Sequence, residues 1–506
     1  MVTEETSAKF ETLLEKVHEI HDLQKATGLL SWDREVIMPN AGDEIRIQQI
    51  ATLRRLSHEM FTADEMGELI EAAALELDGV PYESNAASLI RYLRESYDDA
   101  RKLPPEFVAR NARISGKAHT VWVKARENDD FDSFEPWLEQ IVELGQEMAE
   151  LYGYEDEKYD ALLDKYERGA KTADIRAIFA ATKGATLPLL QAIQERGAAV
   201  DDSILHQPYD IDKQKEFARY IVEAVGYDFD RGYLGTAVHP FATSFSRDDA
   251  RITSRWYPDF ISPSLFGSLH ESGHALYEQG THPDLARTPL ARGTSSGIHE
   301  SQSRLIENIV GRSHGFWRTH LPKLQELFPQ QLGGASVEQF YKAVNKVQPS
   351  FIRVEADELT YNLHIILRFE LEQALLEGDL AVADLPTAWN DKMQALLGVT
   401  PPTNREGVLQ DVHWTRPSFG YFPTYALGNL YAAQFYRAAR EQAPVIEAEM
   451  EAGKTDALLS WLRDNIHQHG RKFKPDEIVQ RATGHPLSHE PFIAYATDKF
   501  GDVYDL

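Results

Sequence analysis

Residues 270–274 read His-Glu-Ser-Gly-His, a combination of side chains that can bind a metal ion and activate water. Residues four apart on an α-helix lie one turn apart on the same face, so His270 and His274 can present their imidazoles to one ion. Glu271 then lies beside the open coordination position, where it can take a proton from the attacking water. The pattern therefore predicts zinc-dependent hydrolysis.

A catalytic zinc ion takes three protein ligands and keeps one position for water, whereas a structural zinc ion takes four. The chain has no cysteine, so the third ligand must be His, Asp or Glu. We prefer Glu300, in the segment 299–304 that opens a second amphipathic run at His299. Glu307 is the alternative ligand, and an exposed carboxylate in the first helical turn is the alternative role for Glu300. Glu278 shares the face of the two histidines but lies one turn further along, and His299 is expected to point elsewhere on its helix.

This geometry requires a helix around residues 270–274, and the flanking sequence indicates one. Ser-Pro-Ser at residues 262–264 is typical of a helix start, and Gly280 followed by His-Pro at 282–283 is typical of an end. Gly273 costs a helix about 1 kcal/mol relative to alanine, which indicates that something approaches its backbone closely. The alternative is a surface helix with two solvated histidines.

The rest of the chain reads as largely α-helical. Its 506 residues allow several domains, but no linker, repeat or low-complexity segment divides them, so we expect one continuous core. Apolar residues recur at helical spacing near the N-terminus. The members of these two stretches are Phe10, Leu13, Leu14, Val17 and Ile20, and Ile47, Ile50, Leu53 and Leu56. Between residues 236 and 260 the pattern alternates instead, with a turn at 246–249, which predicts a small β-hairpin just before the metal-binding helix.

Charge and composition exclude several partners. The chain has 52 Lys and Arg against 80 Asp and Glu, a net charge of −28, and such a surface repels nucleic acids and anionic membranes. No apolar run approaches the ~18 residues that span a bilayer. Residues 1–5 lack the basic and apolar blocks of a signal peptide, so we expect a cytoplasmic protein. The absence of cysteine excludes disulfides and thiol catalysis.

Six segments together resemble the carboxypeptidase Taq family of metallocarboxypeptidases, and they occur in the order found in that family. They are His-Glu-Ser-Gly-His at 270–274, His-Glu-Ser-Gln at 299–302, His-Pro-Phe at 239–241, Asp-x-Arg-x-Thr at 249–253, Ile-Arg-x-x-Ala-Asp at 352–357 and Gly-x-x-Gln-Asp-x-His-Trp at 407–414. Leu-Leu-Ser-Trp-Asp at 29–33 and Ala-Thr-Gly at 482–484 are also similar. The resemblance covers most of the chain.

The resemblance implies a mainly α protein, a two-lobed helical shell around a deep groove, similar to neurolysin and angiotensin-converting enzyme. It implies a single domain over 1–506, with an N-terminal helical lid at about 1–100 and a catalytic core at about 230–430. A homodimer is also implied. His, His and Glu ligation favours one zinc ion per chain, although cobalt suits the same ligands.

The catalytic roles follow from this comparison. Glu271 is the expected general base, and the oxyanion of the tetrahedral intermediate needs a hydrogen-bond donor in addition to the metal. Similarity to the angiotensin-converting enzyme group, where a His is followed about a dozen residues later by a Tyr, assigns His413 and Tyr425 to the oxyanion. Tyr421 is then a substrate contact. The alternative is that these aromatic residues belong to the core.

Substrate recognition has candidates in the hairpin and in two arginines. In metallopeptidases of this type an edge strand can pair with the substrate backbone, and His239 on the first strand can hydrogen-bond a substrate carbonyl. The alternative is a structural hairpin held by a contact between Asp249 and Arg251. Arg353 and Arg251 are the candidates for binding the free α-carboxylate of a peptide, since the guanidinium fork binds carboxylates with two hydrogen bonds.

The role of Arg353 and the function of the whole chain each leave alternatives open. Arg353 has an apolar-flanked position that predicts a partly buried guanidinium, which could instead pair with Glu355, Asp357 or Glu358.

For the whole chain, the first hypothesis is a zinc-dependent carboxypeptidase that releases single C-terminal residues from peptides with broad specificity. The other two hypotheses are a metal-dependent oligoendopeptidase and a non-catalytic helical scaffold with a relic motif. The general base Glu271 and the predicted metal ligands are all present, which argues against the scaffold.

Overall fold

The computed structural model describes residues 8–196 and 200–506. Within these ranges the chain folds into twenty-one α-helices, a π-helical segment and one three-stranded sheet, which confirms the predicted mainly α class. The helices before the sheet are α1 (Ala8–Val36), α2 (Asp43–Thr62), α3 (Asp64–Glu76), α4 (Asn85–Lys102), α5 (Pro105–Asn128), α6 (Phe131–Tyr152), α7 (Lys158–Leu163), α8 (Thr172–Arg196) and α9 (Ile211–Ala224). Those after it are α10 (Ser262–Gln279), α11 (Ser296–Arg304), α12 (His314–Leu327), α13 (Pro329–Leu332), α14 (Val337–Val344), α15 (Tyr361–Glu377), α16 (Leu385–Leu397), α17 (Pro423–Gln442), α18 (Val445–Glu451), α19 (Asp456–Asn465), α20 (Pro475–Thr483) and α21 (Glu490–Tyr504).

The hydrophobic core is divided in two, rather than continuous as the sequence had led us to expect. The larger cluster runs through the sheet and the helices from α5 onward. A smaller cluster joins α1, α3 and α4 to Leu285 and Leu290, which lie in the loop between α10 and α11. The N-terminal helices therefore share a core with a loop that continues directly from the His-Glu-x-x-His helix.

The two apolar stretches near the N-terminus both form helices, as predicted, but they differ in burial. In α1 the residues at helical spacing, such as Leu13 and Val17, are buried. In α2 only Ile50 of the predicted stripe is buried, while Ile47 is 46% exposed and Leu56 38% exposed. The apolar face of α2 is therefore largely uncovered, because helical periodicity identifies such a face without showing what covers it.

The sheet has three strands, whereas the sequence predicted only a hairpin. Strands β1 (Gly232–Thr236), β2 (Ala242–Ser246) and β3 (Asp249–Ser254) lie in the order β1-β3-β2. The β2–β3 pair is the predicted antiparallel hairpin with its turn in the predicted place, and β1 adds to β3 in parallel. The second limb of the hairpin ends at Ser254 and is the central strand, so β1 and β2 are the two edge strands.

Helix α10 begins at Ser262 and ends at Gln279 with Gly280 as its C-cap, as predicted. Nearly every side of α10 is covered by protein, so it is a core helix rather than a surface helix. Helix α11 begins at Ser296, three residues earlier than the sequence indicated, and continues into the π-helical segment Leu305–Val310. Among the described helices, none combines the length and apolar character needed to cross a membrane.

Candidate metal centre and active site

The three side chains predicted as metal ligands lie together between α10 and α11. The Nε2 atoms of His270 and His274 lie 3.6 and 3.4 Å from the same oxygen of Glu300, Oε2. One potential ligand atom from each residue lies within 4.8 Å of the others. Two imidazoles and one carboxylate that converge in this way match the donor set of a catalytic zinc site.

Close helix packing creates this convergence. A Cβ atom at Gly273 of α10 would overlap the carbonyl oxygen of Gln302 and would lie 2.6 Å from the Cα atom of Ser303, both on α11. On the other side of α11, a Cβ atom at Gly428 of α17 would overlap the side chain of Glu300. The predicted close approach to the backbone of Gly273 is therefore confirmed, and it brings Glu300 within reach of the two histidines.

Replacing Gly273 with alanine should separate α10 from α11 and weaken both folding and metal binding. Overpacking of this kind costs about 1–3 kcal/mol, which exceeds the gain of up to about 1 kcal/mol in helix propensity. The free energy of unfolding and the metal dissociation constant measure the two effects. Gly267→Ala on the same helix is the matched control, because its Cβ would meet no atom closer than 4.0 Å. Equal behaviour of the two variants would contradict the packing argument.

The N-terminus of α11 is anchored by a buried carboxylate that the sequence analysis did not single out. Glu167 accepts hydrogen bonds from the backbone N–H of Gly297 (3.0 Å), the hydroxyl of Ser295 (3.1 Å) and the phenol of Tyr431 (2.9 Å). Burial raises the pKa of Glu167 to about 7, against the opposing effect of these three donors. Because Gly297 lies one turn before Glu300, this contact fixes the part of α11 that carries the third candidate ligand.

Each histidine is oriented by a partner at its other ring nitrogen. Nδ1 of His270 lies 2.9 Å from Oε2 of Glu307. Nδ1 of His274 lies 3.1 Å from the backbone oxygen of His299 and 2.6 Å from Nδ1 of the His299 ring. Glu307, the alternative ligand of the sequence analysis, thus contacts the nitrogen of His270 that faces away from the converging atoms. His299, which was expected to point elsewhere on its helix, is not among the converging atoms, but its ring contacts the far nitrogen of His274.

The His299 contact determines which nitrogen of His274 is free. Nε2 of His299 lies 2.8 Å from Oε1 of Glu278, so this nitrogen carries the proton and donates a hydrogen bond to the carboxylate. Nδ1 of a neutral His299 is then an acceptor for the N–H at Nδ1 of His274. The lone pair at Nε2 of His274 is left for a metal ion, as in other sites where a carboxylate orients a histidine ligand. Glu278, one turn beyond the pair, therefore acts through His299.

The electrostatics of the cluster favour a cation. Burial alone would lower the pKa of His270, but Glu300 and Glu307 outweigh this effect and raise that pKa to about 9. Arg304 contacts both carboxylates, at 2.7 Å from Oε1 of Glu300 and 3.3 Å from Oε2 of Glu307. Although burial opposes ionisation, Arg304 and the two histidines hold the pKa of Glu300 well below its ordinary value. A buried, ionised carboxylate beside two imidazoles is suited to binding a divalent ion.

Glu271 lies on the same helix and faces the open side of the cluster. Its carboxyl group lines a cavity of about 600 Å³ that also contacts His270, His274 and Glu300. Burial raises the pKa of Glu271, against the opposing effect of the neighbouring histidines. A carboxylate with a raised pKa is a stronger base than an exposed one, which suits a group that accepts a proton from water.

The cavity is bounded by the N-terminal helix α1, the edge strand β2 and the helices α10, α11 and α17. Its wall includes the backbone of β2, the metal cluster and two tyrosines. Residues 242–244 of β2 face it, so the strand edge near the metal cluster belongs to β2 and not to β3. An extended peptide can pair with such an edge.

Tyr421 and Tyr425 line the cavity, and His413 lies behind them. The hydroxyl of Tyr425 is 3.4 Å from Nε2 of His413, and the His413 and Tyr421 rings are stacked with centroids 5.5 Å apart. Burial lowers the pKa of His413 to about 4, so the imidazole is neutral. Burial also raises the pKa of Tyr425 well above its ordinary value, so the phenol keeps its proton and can donate it. His413 itself does not reach the cavity wall.

Arg353 is buried and already paired. Its guanidinium binds Asp411, with the NH2 nitrogen 2.9 Å from Oδ1, and it donates to the hydroxyl of Tyr361 at 3.1 Å. Asp411 also binds the buried Arg368. The expected alternative partners Glu355, Asp357 and Glu358 are therefore wrong. Arg353 does not line the cavity, although its guanidinium lies 4.9 Å from the ring centre of Tyr425.

Arg251 and His239 also lie away from the cavity wall. The guanidinium of Arg251 forms two hydrogen bonds with Asp249, at 2.7 and 2.8 Å, and its carbon lies 4.5 Å from the ring centre of Trp32 on α1. This is the structural contact that the sequence analysis held as the alternative. His239 is exposed in the loop between β1 and β2 rather than on the first hairpin strand. Its neighbours Pro240 and Phe241 face the cavity instead.

Three basic residues of the cavity wall were not predicted. They are Lys25, Arg292 and Arg471. Lys25 lies on α1, and the two arginines lie in loops before α11 and before α20. None belongs to one of the segments that resemble the family, and no local spacing links them, so only the tertiary structure shows that they face the same space.

The comparisons with known proteins agree with this geometry. The family described as Carboxypeptidase Taq (M32) metallopeptidase matches residues 12–500. Thermostable carboxypeptidase 1 of Thermus thermophilus is 42% identical over 513 residues, which cover 98% of this chain and 99% of that protein. Carboxypeptidase 1 of Bacillus subtilis is 39% identical and covers 96% of this chain and 97% of its own length.

Solved structures give the same result. The crystal structure of the M32 carboxypeptidase from Deinococcus radiodurans R1 has a TM-score of 0.96 at 36% identity, over 99% of this chain and 100% of that chain. The Pyrococcus furiosus carboxypeptidase has a TM-score of 0.95 at 37% identity, over 98% of this chain and 99% of that chain. With the family match over nearly the whole length, these findings confirm the resemblance. The chain belongs to the carboxypeptidase Taq (M32) family and is a metallocarboxypeptidase.

Proposed function

We propose that the chain releases single amino acids from the C-termini of peptides with broad specificity, using one zinc ion held by His270, His274 and Glu300. The observation that carries this proposal is the convergence of two Nε2 atoms and one carboxylate oxygen within 4.8 Å, beside Glu271 in a cavity. Nitrogen and oxygen ligands of this kind suit zinc, and cobalt is the alternative ion. The carboxypeptidase relatives do not favour an internal-cleaving peptidase or an inactive scaffold.

The chemistry assigns one task to each side chain. When bound, the ion supplies Lewis acidity that polarises the peptide carbonyl and makes water acidic. Glu271 takes a proton from the attacking water and passes it to the nitrogen of the departing amino acid, which balances the hydrolysis of the C–N bond. Tyr425 donates a hydrogen bond to the developing oxyanion, and His413 holds Tyr425 in position. Tyr421 and the edge of β2 contact the peptide on either side.

Replacing Tyr425 with phenylalanine should lower kcat about 10²-fold with little change in KM. Loss of one oxyanion donor has this effect because the hydrogen bond is stronger in the transition state than in the bound substrate. Steady-state kinetics on a free-acid peptide measure both constants. Tyr421→Phe is the matched control, since it removes a neighbouring hydroxyl with the expected effect on KM instead. A rise in KM without a fall in kcat for Tyr425→Phe would assign this residue to binding alone.

Product analysis of a defined peptide tests the proposed function directly. Mass spectrometry should show a ladder shortened one residue at a time from the C-terminus, and a chelator should abolish it. Restoring activity with zinc or cobalt after chelation identifies the ions that the site accepts. Internal fragments as the first products would contradict the proposal, and so would a ladder that persists without metal.

The family resemblance supports further proposals about the whole molecule. We propose a single domain with a catalytic core at about 230–430, a homodimer and a cytoplasmic location. The N-terminal helices up to about residue 100 are proposed as a lid, which is supported by the position of α1 in the cavity wall. The exposed His239 stays a proposed substrate contact. Because Arg353 and Arg251 are occupied by Asp411 and Asp249, we propose that they support the walls of the site rather than bind the substrate carboxylate.

A further inference from the structure

Three positive charges meet in the active-site cavity without a carboxylate partner. Lys25, Arg292 and Arg471 all line the space that contains Glu271 and the candidate metal ligands. Within residues 8–196 and 200–506, none of the three has a carboxylate oxygen within 4.0 Å of a side-chain nitrogen. This arrangement is unexpected in a chain with 80 acidic and 52 basic residues, where most cations can find an acidic neighbour.

Two of these cations are held by neutral groups. Lys25 donates from Nζ to the backbone oxygen of Ser244 on the edge strand β2, at 2.8 Å. Arg471 donates from Nε to the backbone oxygen of Gly293 at 2.8 Å and from NH1 to the hydroxyl of Tyr92 at 2.9 Å. These contacts fix the positions of the two charges, and Glu278 attracts Lys25 electrostatically without forming an ion pair with it.

Arg292 differs from the other two because its guanidinium is free. Its side chain is exposed to the cavity, and in the described part of the chain it forms neither a hydrogen bond nor an ion pair. The guanidinium of Arg471 lowers the pKa of Arg292, and the partial loss of solvent inside the cavity lowers it further. Of the three carboxylates in the cavity wall, Glu271 and Glu300 belong to the metal cluster. Glu278 binds His299 through Oε1 and attracts Arg292 and Lys25 without forming an ion pair with either.

The loop that carries Arg292 is fixed on both sides. Leu285 and Leu290 are buried in the N-terminal core, and the backbone N–H of Arg471 donates to the oxygen of Leu290 at 2.9 Å. On the following residue, the N–H of Gly293 donates to Oε1 of Glu278 at 3.3 Å. Arg292 is therefore a free cation on a rigid support, which is the arrangement expected of a group that binds an anion with little loss of entropy.

We propose that Arg292 binds the free α-carboxylate of the substrate's C-terminal residue, with Lys25 and Arg471 adding positive charge around it. The inference rests on the proposed carboxypeptidase function and names the residue that distinguishes a free C-terminus from an internal peptide bond. A guanidinium binds a carboxylate with two parallel hydrogen bonds, which gives both orientation and affinity. Because Lys25 of this basic group lies on α1, the N-terminal helices contribute to substrate recognition.

Arg292→Gln tests the proposal with a matched pair of N-acylated peptides that differ only in a C-terminal acid or amide. For the acid, KM should rise about 10- to 100-fold in the variant, since a charged hydrogen-bonded partner is lost from a partly enclosed site. The amide should be cleaved equally poorly by the variant and the unmodified enzyme. Arg292→Lys should recover part of the loss, because it restores the charge without the fork. Arg287→Gln is the control, because this arginine of the same loop pairs with Asp22 outside the cavity.

Three results would overturn the assignment. They are an unchanged KM for the acid, an equal loss for acid and amide, and a loss confined to peptides that end in Asp or Glu. Equilibrium binding of N-acetyl-leucine to the metal-loaded protein gives a readout that does not depend on turnover. Arg292→Gln should weaken this binding about 10-fold or more and should leave the binding of N-acetyl-leucinamide unchanged. If the unmodified enzyme failed to trim peptides, the proposed function would fail, while this binding experiment would still decide the role of Arg292.

Discussion

Glu271→Gln should reduce kcat for peptide trimming by up to about 10⁴-fold while leaving the metal ion bound. Glutamine keeps the size and polarity of the side chain but cannot accept the proton of the attacking water. Glu271 lines the cavity beside His270 and His274, and burial raises its pKa, so the carboxylate is suited to this transfer. Steady-state kinetics and metal analysis of the purified variant measure the two quantities separately.

Glu271→Asp provides the graded comparison for this experiment. Aspartate keeps the carboxylate but withdraws it by one methylene, so we expect an activity between those of the glutamine variant and the unmodified enzyme. Metal content should be the same in all three proteins, because Glu271 is not one of the proposed ligands. Activity of Glu271→Gln within 10-fold of the unmodified enzyme would exclude Glu271 as the base, whatever the metal content.

The local part of the site could be predicted because neighbouring residues determine it. The start and end of α10 follow from Pro263 and Gly280, and the spacing of four between the histidines places them on one helical face. Gly273 indicated close packing from its low helix propensity alone. Each of these inferences needs only a few adjacent residues, which is why the sequence was sufficient.

The orientation of His299 could not be predicted for a physical reason. Its role depends on how α11 rotates against α10, and this rotation is fixed by the packing of Gly273 on Gln302 and by the buried Glu167 at the start of α11. Glu167 lies 130 residues before Gly297 in the chain. The pattern of apolar and polar residues within α11 does not predict these long-range contacts.

The partners of the arginines were missed for the same reason. Arg353 pairs with Asp411, which lies 58 residues away, although three carboxylates stand within five positions of it. Arg292 has no motif around it and gains its position from a core shared with the N-terminal helices. The family segments identified the buried Arg353–Asp411 pair as two separate motifs, and only the fold shows that they form one contact behind Tyr425.

Glu300→Gln should weaken metal binding by more than about 100-fold, and Glu307→Gln should weaken it by about 10- to 100-fold. The second range is typical of a residue that orients a ligand, as Glu307 does at Nδ1 of His270. Loss of a direct ligand must exceed it, because an amide oxygen is a much weaker donor to zinc than a carboxylate. Competition with a chromophoric chelator gives the dissociation constants, and the spectrum of the cobalt-loaded protein reports the geometry around the ion.

The comparison is informative because both substitutions change the charge near the site by the same amount. Arg304 contacts Glu300 at 2.7 Å and Glu307 at 3.3 Å, so either variant leaves this guanidinium with one carboxylate fewer. If charge alone attracted the ion, the two variants would lose similar affinity. A larger loss of metal affinity in Glu300→Gln than in Glu307→Gln requires that Glu300 contact the ion. A larger loss in Glu307→Gln would assign the third ligand to Glu307. Equal losses, with an unchanged cobalt spectrum, would leave the ion held by the two histidines without either carboxylate.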